Sequence, residues 1–400
     1  MSKDTVVLAF SGGLDTSYCI LALREQGFEV DTVFVDTGGL SQDELQWIHD
    51  RAKQLGARHH HQLDASQAIW DEFVRPLVWS HARMLGEYPM LCSDRYLIVR
   101  LCLELCDDLG SKHFAHGCTG MGNDQLRFDQ TVRSTGDYVI HAPVRDLQKT
   151  VTNIRDYEIA YLEKAGVEVA GKSGDYSINE NLLGVTISGS EIDRFDIPDP
   201  QTRSLCKPRD EWPQSPLQVK IKFKKGEATH LNDKKLTGPE MLRALNLAFG
   251  EYGVGRHIYT GDVSIGLKGR IVFECPGIDA LLCAHQALED TVNTRLQNQF
   301  RAQVAQRWAE LVYTGFFYEP HKRDLEAYLA SSQSAVTGSV TLMTEGGSVT
   351  AVAVDSDNIL QDASSVYAQS CDWTPEEAEG FIKLLGQSTT MAARIRGPGS

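Results

Sequence analysis

The stretch that most limits what this chain can fold into is Val6-Val7-Leu8-Ala9-Phe10-Ser11-Gly12-Gly13-Leu14-Asp15-Thr16-Ser17. Its short apolar run reads as a buried strand of the kind that sits inside a parallel sheet. The run breaks at Ser11-Gly12-Gly13, where two glycines let the backbone turn sharply and come close to a ligand. Asp15, Thr16 and Ser17 then offer N-cap chemistry to a helix carrying Ile20, Leu21 and Leu23. Strand, glycine turn and helix start together aim unpaired N–H groups and the positive end of a helix dipole at one spot, which makes an anion site. The loop does not end in Gly-Lys-Ser/Thr, so it is not a Walker A loop.

The chain after this helix alternates strand and helix. Residues 30–35 read as a second strand and residues 59–63 as a third, with a Ser41/Glu44 capping box opening the helix between them. A helix follows near 67–79, and Asp94 is placed to cap a longer one that runs to Leu109 and stops at Gly110. Strands at 112–116 and 138–142 flank a second glycine-rich loop, and a helix near 153–164 completes the pattern. Such alternation predicts a mostly parallel sheet with helices on both faces, whose ligands gather beyond the carboxyl ends of the strands. Both glycine-rich loops fall there.

Beyond about residue 170 the pattern changes to α+β. Val219, Ile221 and Phe223 alternate with Lys220, Lys222 and Lys224, the signature of a half-solvated antiparallel strand. Thr237, Pro239 and Glu240 open a short helix, 271–273 is a strand, and one long helical stretch is expected over 280–312. Val340, Leu342 and 349–354 read as a hairpin around Gly346-Gly347, and Thr374-Pro375-Glu376-Glu377 starts a final helix carrying Phe381, Ile382, Leu384 and Leu385. The expected organisation is a nucleotide-binding domain over 1–170, a second domain over 171–372, a C-terminal helix and tail over 373–396, and a possible cloning scar at 397–400.

A net charge of −15 argues against a broad basic face for nucleic acid. No apolar run approaches the length of a membrane span, and Met-Ser-Lys-Asp leads straight into the first strand, so no membrane partner or targeting segment is expected. Nine cysteines, an odd number without a C-x-x-C pair, read as buried thiols in a reducing compartment, with Cys102 and Cys106 on one helix face. His59-His60-His61 would point to alternating faces of a strand and is read as strand filler rather than a metal site.

The first loop resembles the Ser-Gly-Gly-x-Asp-x-Ser loop of the ATP pyrophosphatases, which hold pyrophosphate as a leaving group and transfer adenylate to a carbonyl or ureido oxygen. The second loop narrows the resemblance. Gly117-x-Thr119-Gly120-x-Gly122-Asn123-Asp124-Gln125-x-Arg127 combines close backbone approach with a hydroxyl, an amide, a carboxylate and an arginine fork. In such a set Asp124 can meet an ammonium and Arg127 a carboxylate, which suits amino-acid substrates. With Tyr176-Ser177-x-Asn179-Glu180-Asn181, Gly253-Val254-Gly255-Arg256, Phe273-Glu274-x-Pro276-Gly277 and Glu310-Leu311-Val312-Tyr313, the chain is similar to the argininosuccinate synthetase family along most of its length.

That resemblance implies an adenine nucleotide alpha hydrolase-like α/β domain, an α+β synthetase domain and a C-terminal oligomerisation helix. It implies a cytoplasmic ligase of arginine biosynthesis, acting as a homotetramer, that condenses citrulline with aspartate and releases AMP and pyrophosphate from ATP, with Mg²⁺ as cofactor. Carried over by position, Ala9, Phe10, Ser11, Gly12, Gly13, Leu14, Asp15, Thr16, Ser17, Val35 and Gly117 would hold ATP, with Ser11, Gly12, Gly13, Asp15 and Ser17 stabilising the departing pyrophosphate. Thr119, Asn123 and Asp124 would hold aspartate, and Tyr88, Ser93, Asn123, Arg127, Ser177 and Thr186 would hold citrulline. No side chain stands out as a covalent nucleophile.

Three departures bear on the substrate. Met121 replaces a lysine common in the family, Gly261 replaces a citrulline-contacting glutamate, and Phe273 replaces a tyrosine. Two expectations follow. Either Asp262 supplies the lost carboxylate through a small backbone shift, or the pocket takes an N-acylated citrulline whose acyl group fills the space at Gly261.

Overall fold

Five parallel strands follow from the first apolar runs: β1 (Thr5–Ala9), β2 (Glu29–Asp36), β3 (His59–Asp64), β4 (His113–Ala115) and β5 (Val139–His141), in the spatial order β3-β2-β1-β4-β5. The computed structural model describes residues 4–168, 176–361, 367 and 369–397, so Pro398, Gly399 and Ser400 of the suspected scar lie outside the described residues. Successive β1 side chains feed two cores. Val7 and Ala9 pack with Phe73 and Leu97, while Val6 and Leu8 pack with Ile20, Leu23 and Leu162 on the other face. This explains a strand apolar at consecutive positions. From β1 the chain crosses to β2 on one side, while β4 lies on the other. The order therefore reverses at the β1/β4 boundary, where ligands of open parallel sheets bind.

Two helix starts differ from expectation. Helix Leu14–Glu25 has Gly13 as its N-cap and no capping side chain, because the hydroxyls of Thr16 and Ser17 turn back to the carbonyls of Gly13 and Gly12, at 3.3 Å each. Helix Asp94–Asp108 has Ser93 at its N-cap position; Asp94 is the first helical residue and spends its carboxylate on Arg95. The helix expected near 67–79 runs as Ser66–Ile69, a wider π-type turn Trp70–Val74, and Arg75–Ser80. Cys102 and Cys106 are fully buried and all nine cysteines are free thiols, but against expectation Cys371 is exposed and Cys92, Cys118 and Cys283 are half-buried. His60 bonds to Thr32 Oγ1 at 2.9 Å while His61 points toward Asp31, so the three histidines do not converge.

The rest of the first unit carries β6 (Ser177–Asn181), β7 (Gly184–Ser188), β8 (Leu217–Lys224), β9 (Glu227–Leu231), β10 (Lys234–Lys235), β11 (Arg256–Asp262), β12 (Lys268–Glu274), β13 (Gly338–Thr344) and β14 (Thr350–Asp355). They form two sheets, β11-β12-β7-β6 and β10-β9-β8-β13-β14, with antiparallel pairing throughout. In β8, Val219, Ile221 and Phe223 are buried, as the alternation predicts. The long stretch expected over 280–312 is two helices, Pro276–Val292 and Arg295–Tyr313. Thr294 and Gln297 form a capping box that starts the second, a Thr-x-x-Gln signal hidden by the apolar periodicity on both sides of it. A further helix, Pro320–Ser332, begins after Glu319.

By contacts the chain divides at Asn358/Ile359. In the second unit Thr374 and Glu377 form the expected capping box for helix Pro375–Leu385, which helix Gln387–Arg396 follows. Phe381, Ile382, Leu384 and Leu385 stay exposed within that unit. Among the described residues no helix is long and apolar enough to cross a membrane.

Candidate active site

The loop after β1 is held by its own hydroxyls. Ser11 Oγ lies 3.2 Å from Thr16 Oγ1 and accepts from the Gly13 N–H at 3.4 Å. Gly12 has φ +78°, and a Cβ there would meet the Trp47 ring at 2.7 Å, so glycine is required twice over. With no side chain capping the helix, the N–H groups of its first turn are left for an anion. Ala9, Phe10 and Val35 are buried beneath this loop at the strand ends.

Asp15 faces Glu158, on helix Ile154–Lys164, and the two carboxyls share a hydrogen bond. Burial, then the Asp15 charge, pushes Glu158 up to about 9, and burial raises Asp15 as well. Two anions this close cannot both ionise cheaply, so burial and mutual repulsion favour one proton held between them. Glu158 Oε1 has no hydrogen-bond partner. Facing carboxylates with an unpaired oxygen are a donor set that fits Mg²⁺.

The second loop closes on the first. Gly117 lies so near it that a Cβ there would come within 3.0 Å of Thr16 Cγ2 and 3.3 Å of Asp15 Cβ. The Gly120 N–H donates to Gln148 Oε1 at 2.6 Å, Thr119 Oγ1 accepts from the Met121 N–H at 3.4 Å, and Met121 itself is exposed.

Asp124 opens helix Asp124–Thr135, and its surroundings change the role expected for it. Arg127 Nη1 donates to Asp124 Oδ1 at 2.8 Å and Arg95 Nε to Oδ2 at 3.2 Å. Burial opposes the charge, but the two guanidinium groups hold Asp124 below the usual carboxylate range. Asp124 is therefore an anchor for two arginines as well as a candidate partner for an ammonium. Arg95 also donates to Asp94 and, at 2.7 Å, to Asn179 Oδ1 on β6, so it ties Asp124 and the second loop to that strand. Asn123 Oδ1 accepts from the Ser264 N–H at 2.8 Å. Arg127 donates to the Tyr313 carbonyl at 2.9 Å, yet its buried Nε has no hydrogen-bond partner.

An aromatic wall faces this arginine. Tyr88 stacks on Tyr259 at 5.3 Å and meets Phe273 edge-on, and Tyr313 lies under the Arg127 guanidinium at 5.2 Å. Pairing puts Asn179 opposite Thr186 and Thr186 opposite Phe273, with Ser177 two residues along β6, so Ser177 and Thr186 share the Phe273 face of their sheet. Ser93 is buried and donates to the Met90 carbonyl at 2.6 Å, so its proton is already spent on the protein, and Tyr88 Oη accepts from the Cys92 N–H at 3.2 Å.

Asp262 does not join them. It pairs with Lys268 across β11–β12 at 2.6 Å, on the face opposite Tyr259, because successive strand residues point to opposite sides. The space at Gly261 is also taken. A Cβ there would lie 2.1 Å from Tyr259 Oη, so no room for an acyl group opens at this position.

Sequence reading missed Arg95, Glu158 and Asn179 as site residues. Asn179 lay in a quoted motif, but Arg95 and Glu158 sit on ordinary helical stretches whose meaning depends on what folds against them. The Asp15–Glu158 pair joins residues far apart in the chain and leaves no local signal.

Comparison with known proteins gives the family. The model of the arginosuccinate synthase N-terminal HUP domain matches residues 5–168, and that of the arginosuccinate synthase C-terminal domain matches residues 176–392. A Xylella fastidiosa protein named argininosuccinate synthase is 55% identical over 395 residues, covering 99% of this chain and 98% of that protein. One of the same name from Xanthomonas campestris is also 55% identical, over 99% of this chain and 100% of that protein. A more distant one, from Methanocaldococcus jannaschii, is 36% identical over 95% of both.

Proposed function

Since this chain belongs to the argininosuccinate synthase family, and is a ligase that joins citrulline to aspartate at the expense of ATP, we propose that its residues divide that work between the two loops and the aromatic wall. ATP lies at the β1/β4 boundary on Ala9, Phe10, the 11–17 loop, Val35 and Gly117. Citrulline lies against Tyr88, with Arg127 on its carboxylate and Ser93, Asn123, Ser177 and Thr186 around it. Aspartate meets Thr119, Asn123 and Asp124. The observation that carries the citrulline assignment is the buried Arg127 Nε, a donor without an acceptor beside an aromatic pocket. A carboxylate there removes an unsatisfied group.

In the first step the ureido oxygen attacks the α-phosphorus, the bond to the β-phosphate bridge breaks, and pyrophosphate leaves. The N–H groups of the 11–17 loop and the Ser11 hydroxyl stabilise the departing charge, and Asp15 with Glu158 would hold the Mg²⁺ that neutralises it further. In the second step the aspartate amine attacks the ureido carbon, gives up a proton, and AMP departs with the ureido oxygen. No covalent bond to the protein forms; the acceleration comes from placement and fixed dipoles.

The same reading extends to an ATP-binding domain over residues 1–170, a synthetase domain over 171–372 and an oligomerisation segment over 373–396. It places the enzyme as a cytoplasmic homotetramer of arginine biosynthesis. Incubation with ATP, Mg²⁺, citrulline and aspartate, followed by product analysis, tests the chemistry. AMP, pyrophosphate and argininosuccinate are expected in equal amounts; ADP with orthophosphate would refute it.

A further inference from the structure

Away from the nucleotide loops, three metal-ligating atoms converge behind the wall of a cleft of about 800 Å³ that His81, Arg83, His257 and Arg301 help to line. His81 Nε2 lies 2.7 Å from His285 Nδ1 and 3.5 Å from Glu289 Oε2, and His285 Nδ1 lies 3.8 Å from the same oxygen. His285 and Glu289 are fully buried one turn apart on helix Pro276–Val292, and the His81 side chain is 11% exposed.

Hydrogen bonds around the cluster fix the proton positions. Gln333 Nε2 donates to Glu289 Oε1 at 3.0 Å, which turns Gln333 Oε1 toward His285 Nε2 at 2.8 Å. His285 Nε2 therefore carries its proton, and Nδ1 presents a lone pair to His81 and Glu289. This is the arrangement of a metal-binding histidine whose far nitrogen is oriented by a neighbouring acceptor. His81 is brought in by an uncommon backbone: it ends helix Arg75–Ser80 with φ 56°, and its Nδ1 is buried with no hydrogen-bond partner. Arg301 Nη1 bonds the same Glu289 Oε2, so a metal takes that oxygen only as Arg301 gives it up for Asp290, which its Nη2 already reaches at 3.3 Å.

We propose that His81, His285 and Glu289 form a binding site for a borderline divalent transition metal, Zn²⁺ above all, with solvent from the cleft as the remaining ligand. Two imidazoles and one carboxylate are a donor set suited to zinc, which binds such atoms at about 2.0–2.2 Å. A tetrahedral centre with those bonds sets its ligands about 3.4 Å apart. The two distances to Glu289 nearly meet this, and the histidine pair needs to open by about 0.7 Å. The His81 proton then moves from Nε2 to Nδ1. The bound ion would clamp the end of helix Arg75–Ser80 to helix Pro276–Val292. The site uses none of the residues assigned to ATP, citrulline or aspartate.

The test is calorimetric titration of the chelator-treated full chain with Zn²⁺, with Co²⁺ as an optical probe. One equivalent per chain is expected, with a rise in melting temperature. His81→Asn, which tolerates the left-handed backbone, and His285→Ala should each weaken binding by about 100-fold or more, and Gln333→Leu by about 10- to 100-fold. His257→Ala, at the neighbouring His257–Asp279 pair of the same cleft, should leave binding unchanged. Absence of stoichiometric binding overturns the proposal. So does binding that survives His81→Asn, binding that depends on His257, or a thiolate-to-cobalt band placing the ion on cysteine. Should His285→Ala fail to fold, the His81→Asn and Gln333→Leu comparison decides alone.

Discussion

Gly117 and Thr16 touch across the sheet's switch point: a Cβ built on Gly117 would stand 3.0 Å from Thr16 Cγ2. The second loop is thereby packed against the first. Gly117→Val should push the 11–17 loop out of place and cost about 10- to 100-fold in kcat/KM for ATP, the scale on which small misplacements act. Steady-state kinetics with ATP varied, alongside thermal melts, measures this. An unaltered kcat/KM would show that the contact is incidental.

The Asp15–Glu158 pair predicts a pH dependence of stability. Glu158 is raised from 4.5 to about 9, by burial and then by Asp15. A carboxyl raised on folding contributes fully below its unfolded value and loses that contribution as pH climbs through the folded one. Glu158→Gln removes the loss. Between about pH 6 and about pH 9 the melting temperature of the variant should therefore fall less than that of the parent, and the parent should recover part of the difference when Mg²⁺ is added. Parallel curves would contradict the shared proton.

The citrulline pocket predicts a separation of effects. Arg127→Ala should cost about 2–5 kcal/mol, read mainly as a higher KM for citrulline. Asp124→Asn should raise KM for aspartate and, because it releases both Arg95 and Arg127, for citrulline too. Asp262→Ala should change neither. N-acetylcitrulline should be refused, since Tyr259 occupies the space at Gly261. Initial rates with each substrate varied decide these; an Asp262→Ala enzyme defective for citrulline would restore the reading that the structure displaces.

Helix Pro375–Leu385 predicts assembly. Four neighbouring large apolar side chains exposed within their own unit need covering. Sedimentation should find a tetramer for the full chain and smaller species for a chain ending before Thr374. A monomeric full chain would end this expectation.

Much of this was legible in the residues because its signals are local. The apolar run before Ser11, the capping boxes at Ser41, Thr237 and Thr374, and the alternation in β8 each depend on a few neighbouring positions. The errors have physical causes. At the first helix the Thr16 and Ser17 hydroxyls bend back to the glycine carbonyls and Asp15 turns to Glu158, and at Thr294 apolar periodicity masks a helix start. Asp262 neighbours the missing glutamate in sequence, but strand alternation turns it to the other face. Arg95 acquires its role only when Asp94, Asp124 and Asn179 fold around it.

The central claim is that the ureido oxygen of citrulline attacks the α-phosphorus and leaves with AMP. Citrulline labelled with ¹⁸O at the ureido oxygen tests it most directly, with mass spectrometry of the products after turnover with ATP and aspartate. The label is predicted in the phosphate of AMP, one atom per turnover, with none in pyrophosphate. Label in pyrophosphate or orthophosphate, or released to water with AMP unlabelled, would contradict the account.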